Sequence, residues 1–205
     1  MILSLTVGLS VMSMAVLAQG SIANSADGIH PLLIGSTVPD VTVDDINGKS
    51  VKLSELVKQN PTVLIFYRGG WCPYCNRQMS DLQKIEPTLL KEGYRIVAIS
   101  ADQPEMLRQS IDKHGLTYDL YSDSDAKASQ AFGIAFHVAD KTVSEYKTYG
   151  IDLDQTSGNN RHILPVPAVF LCDTDGMIRF EYVNPNYKVR LDGQVLLAAA
   201  KAYRE

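Results

Sequence analysis

One stretch limits the fold more than any other: Val63-Leu-Ile-Phe-Tyr-Arg-Gly-Gly-Trp-Cys-Pro-Tyr-Cys-Asn-Arg-Gln-Met79. Residues 63–67 form an unbroken apolar run, which suits a strand buried on both faces. Gly69 and Gly70 interrupt the run and allow a tight turn, and a helical pattern begins at Asn76. A Cys-x-x-Cys placed where a buried strand hands over to a helix is the redox arrangement of that motif.

The remaining pattern builds outward from this stretch. Residues 41–53 alternate around Asn47-Gly48 and predict a hairpin. Residues 54–60 form a short helix that ends before Pro61. The helix after the cysteines carries Met79, Leu82 and Ile85, bends at Pro87 and stops at Gly93. Residues 94–100 are a second buried-type strand, followed by a helix over 103–115, a short strand over 118–121 and a short helix over 125–132. Residues 135–162 read as a mostly polar excursion, with a helix through 142–149 and a loop at 156–160. A strand over 164–173 is entered through Pro165 and Pro167, and the Asp173-Thr-Asp-Gly176 turn leads to a return strand over 177–183. The last helix, from Gln194, places Val195, Leu196 and Ala199 on one face. This alternation predicts an α/β domain: a central mixed β-sheet flanked by helices, with an N-terminal β-hairpin.

With 205 residues, 45% of them hydrophobic, the chain can fill one ordinary core but not two large ones. A net charge of -4 and the absence of a Lys/Arg-rich run argue against a nucleic-acid partner. Three cysteines are too few for a disulfide-stapled miniprotein, and the lone Cys172 reads as a small buried hydrophobe in a strand.

Residues 1–26 stand apart. Residues 2–18 are apolar or small, no Lys or Arg precedes Lys49, and Val16-Leu-Ala18 has the small-residue pattern of a cleavage site before a polar stretch. The expectation is a signal peptide and polar leader over 1–26, with a domain over 27–205 exported to the periplasm or another extracytoplasmic space. An uncleaved N-terminal anchor is the alternative, and only that would involve a membrane. In either case thiol–disulfide chemistry is permitted where the domain resides.

Trp71-Cys-Pro-Tyr-Cys75 after a buried strand resembles the active site of the thioredoxin superfamily, and Cys-Pro-Tyr-Cys is the glutaredoxin form. The longer frame is more similar to the AhpC/TSA-type, peroxiredoxin-like redoxins. Its matching pieces are Phe66-Tyr-Arg-Gly-Gly-Trp-Cys-Pro-Tyr-Cys75, Ile99-Ser-Ala-Asp102, Pro165-Val-Pro-Ala-Val-Phe-Leu171 and Asp175-Gly-Met-Ile178, within a similarity over about residues 32–200. The resemblance implies a thioredoxin-like three-layer fold and chemistry carried by thiols with no bound cofactor. It also implies a hydroperoxide or disulfide as substrate and a dithiol reductant, such as a thioredoxin-like protein, as donor. Pro167 corresponds to a proline that is cis and faces the cysteines in such folds. Two features depart from the peroxiredoxin pattern, Pro-x-x-x-Thr-x-x-Cys. Ile65 and Gly69 occupy its Pro and Thr positions, and the strand beginning Pro165-Val-Pro167, near which peroxiredoxins tend to place an arginine, looks thioredoxin-like instead, with Arg68 as the candidate replacement.

The chemistry follows from placement. A thiolate is the nucleophile, and Cys72 at the start of a helix lies among unpaired N–H groups that favour an anion. Pro73 suits the first helical position, where it sacrifices no hydrogen bond. Cys75 lies within the same turn and can close a Cys72–Cys75 disulfide. Cys72 is therefore expected to attack and Cys75 to resolve. The competing readings are a static disulfide, which would constrain little chain, and half of a zinc site. Zinc needs four ligands, and His30, His114, His137 and His162 are scattered, so no metal is expected. Trp71 either walls the site or packs, and Arg68 either assists the thiolate or lies at the surface. The expected activity is reduction of hydroperoxides. Thiol–disulfide exchange with proteins, or a non-enzymatic binding domain, are the alternatives.

Overall fold

The computed structural model describes residues 20–203. The apolar segment over 2–18 lies outside the described residues. Among those described, no helix is long and apolar enough to cross a membrane.

The apolar run becomes β3 (Thr62–Tyr67), buried at every position. It lies between β4 (Arg95–Ser100), which pairs parallel with it, and β8 (Ala168–Cys172), which pairs antiparallel. Seven strands complete one mixed sheet, ordered β2-β1-β5-β4-β3-β8-β9. The others are β1 (Thr42–Asp44), β2 (Ser50–Lys52), β5 (Asp119–Ser122) and β9 (Ile178–Val183). The β1–β2 pair is the expected hairpin, with Val43 opposite Val51.

Alternation along β3 assigns each residue to one of two cores. Val63, Ile65 and Tyr67 pack under α2 (Pro73–Lys91), α3 (Pro104–His114) and α7 (Gly193–Ala202), through Met79, Leu82, Leu89, Leu107, Leu196 and Leu197. Leu64 and Phe66 face α1 (Leu53–Val57) and α4 (Lys127–Ala131). The Phe66 ring lies 4.9 Å from Phe132 and edge-on to Phe170 at 6.2 Å. Helices on both faces of the mixed sheet form the expected thioredoxin-like three-layer fold, and a centre buried on both sides explains why β3 has no polar alternation.

Three expectations change. Within residues 135–162 the expected helix is present as α5 (Asp140–Thr148), but the rest is not loop alone: it adds β6 (Ala135–His137) and α6 (Leu153–Ser157), the latter reaching into the loop expected at 156–160. Their few apolar residues, Val138, Val143 and Leu153, join Ala101 and Leu164 in a small separate core, too sparse to leave a clear period in the sequence. The strand expected over 164–173 is two strands, β7 (Ile163–Pro165) and β8, because β7 turns away to pair with β6. On α7 the buried face is Leu196, Leu197 and Ala200, whereas Val195 is half exposed. Tertiary contact with α2, rather than hydrophobicity alone, decided which stripe turned inward.

Residues 20–28 dock on the domain. The Gly20 carbonyl accepts from Gln130 Nε2 at 2.7 Å, and Ala23 exchanges backbone bonds with Ala135 and His137.

Candidate active site

The turn after β3 is shaped by what lies beneath it. Gly69 has φ +153, and a side chain there would press on the Trp71 indole and come within 2.6 Å of Asp102 Oδ1. A side chain at Gly70 would collide with the Ser110 hydroxyl. The two glycines thus let the backbone lie directly on Asp102, whose Oδ2 accepts from the Gly70 N–H at 2.7 Å. Asn76 Nδ2 donates back to the Gly70 carbonyl at 2.9 Å and fixes the turn to the helix.

Cys72 occupies the N-cap of α2, with Pro73 at the first helical position. Its carbonyl accepts the Asn76 N–H at 3.0 Å, the first bond of the helix. Both motif cysteines are free thiols and buried, with Cys72 only 1% exposed. The hydrogen bond from the Cys75 thiol, aided by the Cys75 N–H and by the charges of Arg68 and Arg190, outweighs burial and brings Cys72 down to about 6. Cys75 moves the opposite way: burial, then the proton it shares with Cys72, holds it well above the ordinary thiol range. One proton between two sulfurs therefore rests on Cys75.

Arg68 is buried, not at the surface. Its guanidinium lies over three aromatic rings, at 4.1 Å from the Tyr187 centroid, 4.9 Å from Trp71 and 5.4 Å from Tyr146, and it donates to the Tyr146 hydroxyl. Its Nε is buried and has no partner. Trp71 packs, its ring meeting Tyr146 at 5.6 Å as well as lying under Arg68. Tyr187 in turn meets Tyr74 edge-on at 5.6 Å.

A scan against protein-family models matches the chain to the AhpC/TSA family over residues 34–181. The chain belongs to the AhpC/TSA family. Among curated proteins it is similar to the thiol-disulfide oxidoreductase ResA of Bacillus thuringiensis, at 23% identity over 78% of this chain and 75% of that protein. The ResA of Halalkalibacterium halodurans is 28% identical over 49% of this chain and 56% of its own. Among solved structures, peroxidoxin BcpB of Mycobacterium tuberculosis superposes with a TM-score of 0.64 at 20% identity, covering 84% of this chain and 98% of that one. Peroxiredoxin Q of Xanthomonas campestris gives 0.63 at 21%, covering 85% and 98%. The protein is accordingly a thioredoxin-like oxidoreductase of this family.

Within this AhpC/TSA domain, Pro167 departs from expectation. No cis peptide occurs among the described residues, so Val166–Pro167 is trans, the isomer that most X-Pro bonds prefer. The Val166 N–H donates to the Ile134 carbonyl at 2.8 Å, tying this bond to the β6 region. Pro167 does line a cavity of about 260 Å³ with Arg68, Phe136, Tyr146 and Tyr187.

Three contributors carry no local signal. Asp102 ends a matched segment, yet only the fold shows it buried beneath the turn, where desolvation raises its carboxyl to about 7. Arg190, in the segment between β9 and α7, donates from Nη2 to Cys75 Sγ at 3.3 Å and from Nη1 to Gln78 Oε1 at 3.1 Å. It borders an open cleft of about 500 Å³ with Tyr74, Gln78 and Lys188. Tyr187 comes from the same segment. Cys172 is buried as expected, and burial raises it to about 12. The histidines do not converge: His162 Nε2 pairs with Asp154 at 2.6 Å, and no cluster of three metal-ligating side chains exists among the described residues.

Proposed function

We propose that this protein is a two-cysteine thiol peroxidase. The reading rests chiefly on Cys72, which is poised as a thiolate near neutral pH yet only 1% exposed. A sulfur so enclosed favours a small oxidant over a disulfide on a folded protein. The Cys72 thiolate attacks the hydroperoxide O–O bond, takes up one oxygen as a sulfenic acid and releases an alkoxide or hydroxide, which is protonated. Cys75 then attacks that sulfur, forming the Cys72–Cys75 disulfide and releasing water. An external dithiol, such as a thioredoxin-like protein, returns both thiols and becomes oxidised itself. The enclosure describes the reduced state that meets the oxidant, whereas the donor meets the oxidised one.

Arg68 takes the place of the absent hydroxyl at Gly69: its unpartnered Nε can donate to the peroxide while the aromatic rings hold it in place. Trp71 and Pro167 shape the approach, and Pro73 starts the helix that supports the thiolate. Export fits the same picture. Cleavage after Ala18 would leave the docked segment from Gly20 intact, so the mature N-terminus should be found near Gln19.

Thiol–disulfide exchange is the second reading, favoured by the name of the ResA relatives and by Gly69. Peroxide consumption and protein-disulfide reduction, each with a dithiol donor, separate the two. Wild type should consume peroxide and Cys72→Ser should not. A wild type inert to peroxide but active on a protein disulfide would refute the peroxidase reading, and inertness in both assays across donors would favour a binding domain.

A further inference from the structure

The resolving step poses a problem that the motif alone does not solve. Cys75 must become a thiolate to attack, but it is fully buried and its proton is held between two sulfurs. While Cys72 is a thiolate, the Cys75 S–H has an acceptor. Once Cys72 is oxidised that acceptor is gone, and something else must stabilise the second anion. The groups that face Cys75 are Cys72 from its own turn, the Tyr67 ring from β3, the uncharged backbone N–H of Arg68 just after β3, and Arg190 from the segment before α7. Tyr67 is kept protonated by burial and by the Asp102 carboxyl, and so brings no positive charge. Only Arg190 brings both positive charge and a hydrogen bond to the sulfur, at 3.3 Å.

We propose that Arg190 is a catalytic residue of the resolving step, its guanidinium holding Cys75 Sγ as the thiolate that closes the disulfide. Gln78 fixes the fork from the other side, accepting from Nη1 at 3.1 Å, and the buried Nε remains free to donate. In the step itself the Cys75 proton leaves to solvent, the new S–S bond forms, and the bond from Cys72 sulfur to its leaving group breaks. From a sulfenic acid the leaving group is hydroxide, protonated to water. From a mixed disulfide it is a thiolate. Cys75 is oxidised while the Cys72 sulfur is reduced in the sulfenic acid case, or the departing sulfur is reduced in the mixed disulfide case, so no further electrons are needed. The inference rests on the proposed roles of Cys72 and Cys75 but not on the oxidant being a peroxide.

The test uses reduced full-length protein and dipyridyl disulfide, whose released thione is coloured. Cys72 releases the first equivalent and Cys75 the second, so the two phases report the two cysteines separately. Loss of a charge-assisted hydrogen bond should raise Cys75 by roughly one to two pH values, partly offset by the greater nucleophilicity of a more basic thiolate. For Arg190→Met the second phase should slow about three- to tenfold at neutral pH, with its pH midpoint moved upward. The first phase should stay within about twofold. Arg190→Lys, which keeps the charge, should recover most of the rate and the wild-type midpoint. Cys75→Ser, lacking the second phase, confirms the assignment. An unchanged second phase in Arg190→Met overturns the proposal. So does equal slowing of both phases with no movement of the midpoint, which would mean a structural role. Normal biphasic release by a wild type that ignores peroxide would sink the peroxidase reading and leave this one standing.

Discussion

Replacing Cys75 with alanine should move the ionisation of Cys72 to higher pH. The Cys75 thiol is the largest influence holding Cys72 at about 6, ahead of the Cys75 N–H and the two arginines. At that value roughly 90% of Cys72 is ionised at pH 7. A hydrogen bond to a charged acceptor is worth about 1.5–3 kcal/mol, and each pH value corresponds to about 1.4 kcal/mol. The midpoint in Cys75→Ala should therefore rise to between about 7 and 8, and the ionised fraction at pH 7 should fall to between about 50% and 10%. The sign is that of an acid losing a donor: ionisation still grows with pH, but later. Thiolate ultraviolet absorbance followed against pH, with the Cys72→Ser/Cys75→Ala protein as blank, measures this directly. Cys172 does not interfere, since burial raises it to about 12. Cys75→Ser, which keeps a donor, should restore most of the effect. A midpoint that remains near 6 in Cys75→Ala would refute this account and transfer the stabilisation to the helix N-terminus and the arginines.

Other consequences can be checked separately. Asp102 keeps its proton up to about 7 in the folded protein against an ordinary 3.8, so its contribution is full below about pH 4 and is lost as pH rises through 7. Asp102→Asn should gain on wild type by on the order of 2–4 kcal/mol between pH 4 and pH 8 in urea unfolding, and a constant difference would contradict this. Gly69→Thr restores the peroxiredoxin residue but not its function: the new side chain meets Trp71 and Asp102, so a loss of about 2 kcal/mol or more is expected, and a stable, faster peroxidase would contradict it. Peptide mapping after alkylation of the native protein should find Cys172 unmodified where Cys72 reacts, because burial keeps it a thiol to about 12, and labelling there as fast as at Cys72 would contradict this.

Much of the frame was legible because it is written locally. An apolar run followed by Gly-Gly and Cys-Pro-Tyr-Cys has few physical solutions, and β3, the turn and α2 follow one another as expected. The Asn47-Gly48 hairpin and the Gly115 helix stop were equally plain, with φ +78 and +60 at those glycines. Residues 135–162 were harder to read because their small core draws partners from elsewhere, Ala101 and Leu164, so no stripe forms within the segment itself. The face of α7 was misplaced for a related reason: in a run such as Val195-Leu-Leu-Ala-Ala-Ala200, several stripes are apolar, and α2 selects among them.

The sequence alone determined that two cysteines would sit at the start of a helix fed by a buried strand, since that depends only on residues 63–79. Tertiary structure decided what surrounds those sulfurs. It enclosed Arg68 between Trp71, Tyr146 and Tyr187, set Asp102 under the glycine turn and brought Arg190 to Cys75 from 115 positions away. Such contacts follow from how loops close over a sheet edge, and an isolated arginine or tyrosine in a loop carries no period by which to foresee them. The motif already set Cys72 at the helix start beside the Cys75 thiol, and the fold added the two arginines whose charge favours its ionisation.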